Sequence, residues 1–263
     1  MKRHDLGDIS FLIPIRIDSE SRLRNINLTI DYLLSNFQTK VLVIENDVVP
    51  KFKIKNRGGL EYQFLYDNKD YFHVTNARNI LTTKASTPIV ALWDADFIIP
   101  ARYILNSVKL IRNDIYDVVY PFDGRMYDTD SIQIKLFSKS LDTDILEKYL
   151  NPQKLMFGNV SVGGGVFLNK TRYVNAGMEN VNIKMWGADD SERYQRFKNL
   201  GLRISRSPSP AFHLNHDRLP ACPDIGRFRN AIISSKIELL KISNMNKFDL
   251  ENYIYKYLKI NIK

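Results

Sequence analysis

The first part of the chain alternates short unbroken apolar runs with segments whose apolar residues recur at helical spacing. Ile9 to Ile15 (ISFLIPI) reads as a buried strand, and Ser21 to Phe37 as a helix with Leu23, Ile26, Ile30, Leu33, Leu34 and Phe37 along one stripe. Lys40 to Glu45 is a second strand, Tyr62 to Tyr66 a third, Thr75 to Ala85 a helix, Pro88 to Trp93 a strand, Ala101 to Arg112 a helix, and residues 117 to 121 a further strand. Strand–helix–strand repetition with near-continuous apolar strands predicts an α/β fold, a central mostly parallel mixed sheet flanked by helices. Phe122 to Asn159 has no clean period and is expected to be an excursion over the site. After Gly163-Gly164-Gly165 come a strand (GVFLN), a helix from Lys170 to Ala176 stopped by Gly177, and a helix from Asp189 to Leu200 stopped by Gly201. The chain reads as helical from Asp224 onward, so residues 1–225 are expected to form one domain and 226–263 a C-terminal helical extension packed on it.

Composition narrows the picture without choosing a function. The chain has 263 residues, 44% hydrophobic and 25% charged, enough for one large core without a metal or disulfide staple. A single cysteine, Cys222, excludes an internal disulfide and agrees with a reducing compartment. The start lacks a signal-peptide core, and no apolar run approaches the ~18 residues of a membrane span. A cytoplasmic location is therefore expected, with peripheral contact at the inner face of a membrane as a weaker addition. Lys and Arg number 38 against 29 Asp and Glu, a net charge of +9 that suits an anionic partner: nucleic acid, anionic lipid or a small diphosphate. The 14 Tyr and 14 Phe sit mostly at core spacing, so no aromatic platform for nucleic acid is expected. The tail from Lys236 to Lys263 mixes Lys with Ile, Leu and Tyr; it lacks a long clean basic face, which favours packing on the domain over lying on an anionic membrane.

Three segments carry candidate chemistry. Trp93-Asp94-Ala95-Asp96 ends an apolar strand; in an extended backbone Asp94 and Asp96 project to one side, where a hard divalent cation would relieve their repulsion. Two solvated turn aspartates are the plain alternative. Trp186-Gly187-Ala188-Asp189-Asp190 sits at a helix start, where capping explains one aspartate. A carboxylate beside an indole would have its pKa raised by poor hydration and could serve as a general base. In Phe212-His213-Leu214-Asn215-His216, His213 and Asn215 share one side of an extended segment and His216 points away, so at most one histidine is expected at a given site.

In this order, the segments resemble the GT-A glycosyltransferases, most closely the β-1,4-galactosyltransferase and polypeptide N-acetylgalactosaminyltransferase group and its bacterial chondroitin-polymerase-like relatives. The likeness covers residues 9 to 229 and rests on Ile13-Pro14-Ile15-Arg16, Asn76-Ala77-Arg78, Asp94-Ala95-Asp96-Phe97, Gly163-Gly164-Gly165-Val166, Trp186-Gly187-Ala188-Asp189-Asp190, and His216 with Arg218. The resemblance implies a Mn²⁺ or Mg²⁺ cofactor held by Asp96 and His216, with His213 in reserve. It implies contacts from Arg16 and Arg78 to uridine diphosphate, Asp94 near the ribose, and Glu45 or Asp47 near the uracil or ribose. It makes Asp190 the general base and places Asp189, Trp186 and Gly164 at the acceptor. The family has Trp-Gly-Gly-Glu-Asp where this chain has Ala188 and the shorter Asp189. The activity that the resemblance implies is an inverting transfer of a hexose or N-acetylhexosamine, galactose or N-acetylgalactosamine type favoured, from a UDP-sugar to a carbohydrate acceptor, with polysaccharide biosynthesis as the setting. Two rivals remain: a nucleotidyltransferase using the paired aspartates, and a basic polyanion-binding module.

Overall fold

In the computed structural model, residues 3–53, 57–184, 187–217 and 225–258 are described, the side chains of 225–227 excepted. Trp186, Arg218 and Cys222 lie outside them. Eleven strands are present among these residues: β1 (His4–Ile15), β2 (Phe37–Asp47), β3 (Leu60–Tyr66), β4 (Ile89–Trp93), β5 (Phe97–Ile98), β6 (Val118–Tyr120), β7 (Met126–Asp128), β8 (Leu155–Met156), β9 (Gly165–Asn169), β10 (Ile204–Arg206) and β11 (Ala211–His213). The helices are α1 (Glu20–Asn36), α2 (Val74–Lys84), α3 (Ala101–Arg112), α4 (Ser131–Ser140), α5 (Asp144–Lys148), α6 (Lys170–Asn175), α7 (Asp189–Leu200), α8 (Ile225–Ser243) and α9 (Lys247–Tyr253).

A seven-stranded sheet has the order β10-β6-β9-β4-β1-β2-β3. β9 alone runs against the others, being antiparallel to both β4 and β6, so the sheet is mostly parallel as the apolar runs predict. All five residues of β4 are buried, which is why this strand reads as an unbroken apolar run. Phe11, Trp93 and Phe167, from three neighbouring strands, meet as edge-on or tilted rings at 5.2–5.7 Å between centroids.

A second sheet, β5-β11-β7-β8, lies across the carboxyl end of β4. The irregular stretch from Phe122 to Asn159 carries regular elements of its own and reaches the site through Asp128, which bonds His213. It contributes β7 and β8, and its helix α4 begins with a capping box between Asp130 and Gln133. Strands this short carry too little period to be seen in sequence.

The C-terminal helices α8 and α9 lie against α7. Ile242, Leu250, Tyr253, Ile254 and Leu258 form a small cluster against Leu200 of α7. Asn199 donates to the carbonyls of Ile242 and Met245 at 3.2 and 3.1 Å. Gly177 (φ +89°) admits Leu258, whose Cδ1 would lie 2.9 Å from a Cβ at that position. No helix among the described residues is long and apolar enough to cross a membrane.

Candidate active site

The turn after β4 is built before any ligand arrives. Trp93 is fully buried and donates from Nε1 to the Phe97 carbonyl at 2.9 Å, which forces the chain to reverse between them. The carbonyls within the turn are each held: Asp94 by Phe97 N (3.3 Å), Ala95 by Thr29 Oγ1 (2.9 Å) and Asp96 by Leu214 N (2.7 Å). The turn replaces the extended backbone that the sequence reading assumes. Asp94 bonds Arg78 while Asp96 lies beside a pair of histidines, and Asp94 is not in the Asp96, His213 and His216 group.

Asp96, His213 and His216 offer ligand atoms that all lie within 4.8 Å of one another. Asp96 Oδ2 is 3.3 Å from His216 Nε2 and 3.7 Å from His213 Nε2. The expectation of a single histidine at the site therefore fails. β11 ends at His213, so alternation stops there, and the irregular segment after it brings His216 back to the same side. Each ring is oriented through its other nitrogen: His213 Nδ1 lies 2.7 Å from Asp128 Oδ1, and His216 Nδ1 lies 3.0 Å from the Asp217 carbonyl. Orienting partners of this kind turn Nε2 toward the site as the ligand atom and are the usual support of metal-binding histidines. One carboxylate oxygen and two imidazole nitrogens suit Mn²⁺ better than Mg²⁺, which prefers oxygen ligands.

Burial by itself would raise the Asp96 carboxyl, but His216, His213 and Arg22 outweigh it and hold it below the usual range. Arg22, in the first turn of α1, is braced by Asp18 at 2.8 Å and extends Nη1 to 3.9 Å from Asp96.

The second group lies on the other side of the turn. Asp189 and Asp190 open α7, yet its N-cap is Ala188, with no side-chain cap. Capping does not explain the two acids. Arg78, 3% exposed, reaches Asp94 with Nη2 (2.9 Å) and Asp189, Asp190 and Glu179 with Nη1 (3.0, 3.3 and 3.4 Å). Arg193, one turn along α7, binds Glu179 at 2.9 Å and Asp190 at 2.6 Å. Four carboxylates thus share two guanidinium groups, a buried network in which removal of either cation would leave charge uncompensated.

The acids in this network are tuned in opposite directions. Burial, then the neighbouring Asp190 charge, pushes Asp189 up to about 7 against the pull of Arg78. At Asp190 burial also opposes ionisation, but Arg193 and Arg78 outweigh it and hold the carboxyl below the usual range. The raised pKa expected of a base beside an indole is therefore corrected for Asp190: two arginines set its charge. Asp190 is also the more accessible, its side chain 23% exposed against 5% for Asp189. Its Oδ1 takes both arginines, while Oδ2 lies over Gly163, where a Cβ would sit 2.6 Å away. Only glycine leaves room for that oxygen.

Other expected contacts are placed differently. Glu45 is fully buried and accepts from Lys51 N, Phe52 N and the Tyr62 hydroxyl at 2.9, 3.1 and 2.6 Å, so it fastens the loop after β2 rather than meeting a base or ribose. Asp47 holds Lys51 Nζ at 2.7 Å in the same loop. Arg16 donates to the carbonyls of Asn46 and Lys69, at 2.8 and 2.9 Å, and its Nη2 has only Asp67 nearby among the described residues, at 3.9 Å. Arg78 has its guanidinium among carboxylates, not facing open space for a diphosphate. Gly164 is buried against the Phe97 ring, with room for no Cβ (2.4 Å), so it is a packed joint.

Sequence reasoning does not single out Arg22, Asp128, Glu179 or Arg193. Arg193 carries a signal, three residues after Asp190 on one helix face. Asp128 carries none, being set in the aperiodic stretch.

No protein-family model matches the chain, and no curated protein matches it by sequence. Solved structures do resemble it in shape. The catalytic domain of Drosophila β1,4-galactosyltransferase 7, in complex with xylobiose, superposes with a TM-score of 0.51 at 15% identity over 89% of this chain and 79% of that one. GalNAc-T7 with UDP, GalNAc and Mn²⁺ gives 0.54 at 12% identity over 97% of this chain, which spans 57% of GalNAc-T7. Glucosyl-3-phosphoglycerate synthase from Mycobacterium tuberculosis, with Mn²⁺, UDP and phosphoglyceric acid, gives 0.52 at 12% over 90% and 78%. Shape and sheet order together establish the architecture expected from the motifs: the chain has the GT-A fold.

Proposed function

We propose that the chain is an inverting, divalent-cation-dependent glycosyltransferase that moves a hexose or N-acetylhexosamine, of galactose or N-acetylgalactosamine type, from a UDP-sugar to a carbohydrate acceptor. The observation that carries this reading is the meeting of Asp96, His213 and His216 on one side of a rigid turn with Asp190 and its arginines on the other. Two of the similar structures hold Mn²⁺ and UDP, and a third holds a xylose disaccharide, which supports the donor, metal and acceptor classes.

Asp96, His213 and His216 would hold Mn²⁺, which when bound neutralises charge developing on the leaving diphosphate. Arg22 adds a fixed positive charge at the same place. Asp190, ionised at neutral pH, accepts the acceptor hydroxyl's proton as the new bond to the anomeric carbon forms and the bond to UDP breaks. Access decides for Asp190 over Asp189, since a base must touch the proton it takes. Arg78 and Arg193 hold it in place. Direct displacement inverts configuration and needs no covalent enzyme intermediate. A pair of histidines beside Asp96, with Asp94 turned to Arg78, favours this reading over the nucleotidyltransferase one.

The test is a panel of nucleotide sugars with Mn²⁺ and carbohydrate acceptors, read as UDP release and product linkage. Mn²⁺-dependent release of UDP with an inverted product supports the reading. Pyrophosphate release from a nucleoside triphosphate, or no Mn²⁺-dependent UDP binding, overturns it.

A further inference from the structure

Helix α8 leaves the domain with an outward face that nothing among the described residues covers. Ser235 and Ile242 are buried against the domain (2% and 0% exposed), fixing which side is inner. On the opposite side Ile233, Ile237 and Leu240 are 44, 59 and 62% exposed. At about 100° per residue these three positions fall within about 60° of one another, forming one stripe. Arg229 and Lys236, both exposed, fall on one flank of it by the same spacing. Lys241 falls on the other and lies over the Tyr253 ring at 4.5 Å. The only acid in residues 225–243 is Glu238, whose carboxylate bonds Asn180 and the Tyr253 hydroxyl and lies 3.9 Å from Lys241 Nζ on the flank away from Arg229 and Lys236. Just beyond α8, Phe248 is 71% exposed beside Lys247.

An aliphatic stripe bordered by cations, with its one acid hydrogen-bonded on the Lys241 flank, matches the boundary of an anionic bilayer: apolar side chains enter the acyl region while lysine and arginine remain at the headgroups. A chain of net charge +9 adds long-range attraction of the same sign. We propose that the outer face of α8 is a docking surface for an anionic lipid bilayer. The charge pattern argues against a second copy of this chain as occupant, because a two-fold contact would bring the same cations together.

The test is sedimentation of the full chain with vesicles of phosphatidylcholine alone or with about 30% phosphatidylglycerol. Binding to the anionic vesicles should be about tenfold or more stronger than to neutral ones and should weaken at high salt. Ile237→Glu with Leu240→Glu should cut it by about tenfold while thermal unfolding stays unchanged, both positions being exposed. Arg229→Gln with Lys236→Gln should reduce the anionic preference and leave the neutral-vesicle background alone. Equal binding to both vesicle types, binding insensitive to the stripe substitutions, or a dimer in light scattering that those substitutions dissociate would each overturn the proposal.

Discussion

The two sides of the turn at Asp94 to Asp96 use the same residue type for opposite ends. On one side Asp96 faces two imidazoles and a single, 3.9 Å distant arginine, so its negative charge is left for a cation. On the other, Asp94, Glu179, Asp189 and Asp190 are tied to Arg78 and Arg193 at 2.6 to 3.4 Å, so their charge is largely answered within the protein. A carboxylate's role is set by what surrounds it more than by its position in a motif. The histidine side offers a carboxylate and two imidazole nitrogens to a cation; the arginine side holds a carboxylate still and ionised.

Breaking the first side should have the largest effect. Asp96→Ala should abolish Mn²⁺-dependent UDP binding in calorimetry and lower transfer by about a thousandfold or more. Asp190→Asn should lower kcat by about 10² to 10⁴ while UDP binding changes less than about twofold, separating the proton-accepting group from the metal side. On the arginine side, Arg193→Met strips a partner from buried Glu179 and should cost about 3 kcal/mol in urea unfolding. Adding Glu179→Gln should restore part of that. Asp128→Asn leaves the metal ligands in place but loosens His213, and should weaken Mn²⁺ affinity by about 10- to 100-fold.

The smallest effect concerns pH. Asp189, raised in the folded state by burial and by Asp190, binds a proton that the unfolded chain has already lost between about pH 4 and its own folded pKa of about 7. Its contribution to stability is therefore present in acid and is lost as pH rises through that window. Asp189→Asn should flatten the fall in stability between about pH 4 and pH 7 in urea unfolding.

The elements that can be read in the sequence are those whose burial is continuous or strongly periodic. β1, β2, β4 and α3 stand out because both faces of the strands and one face of the helix are apolar over several residues. The place of Asp96 at the end of β4 comes from this. The features that cannot be read depend on contacts between distant segments. Asp128 enters the site only because β7 pairs with β11, and His216 only because the chain leaves β11 irregularly. Glu45 ends an apolar strand just as a ligand-contacting residue would, and only the backbone amides of Lys51 and Phe52 reveal it as a loop fastener. The glycine triad is placed near the acceptor by the resemblance alone. In the fold it is where the Phe97 ring and the Asp190 carboxylate need space.

The central claim is that Asp96, His213 and His216 together hold one divalent cation. Pulsed electron paramagnetic resonance of Mn²⁺ and UDP bound to the full chain tests it most directly. Nitrogen couplings from two imidazoles, falling to one in His213→Ala and to one in His216→Ala, are the predicted result; bound Mn²⁺ without nitrogen coupling would contradict it.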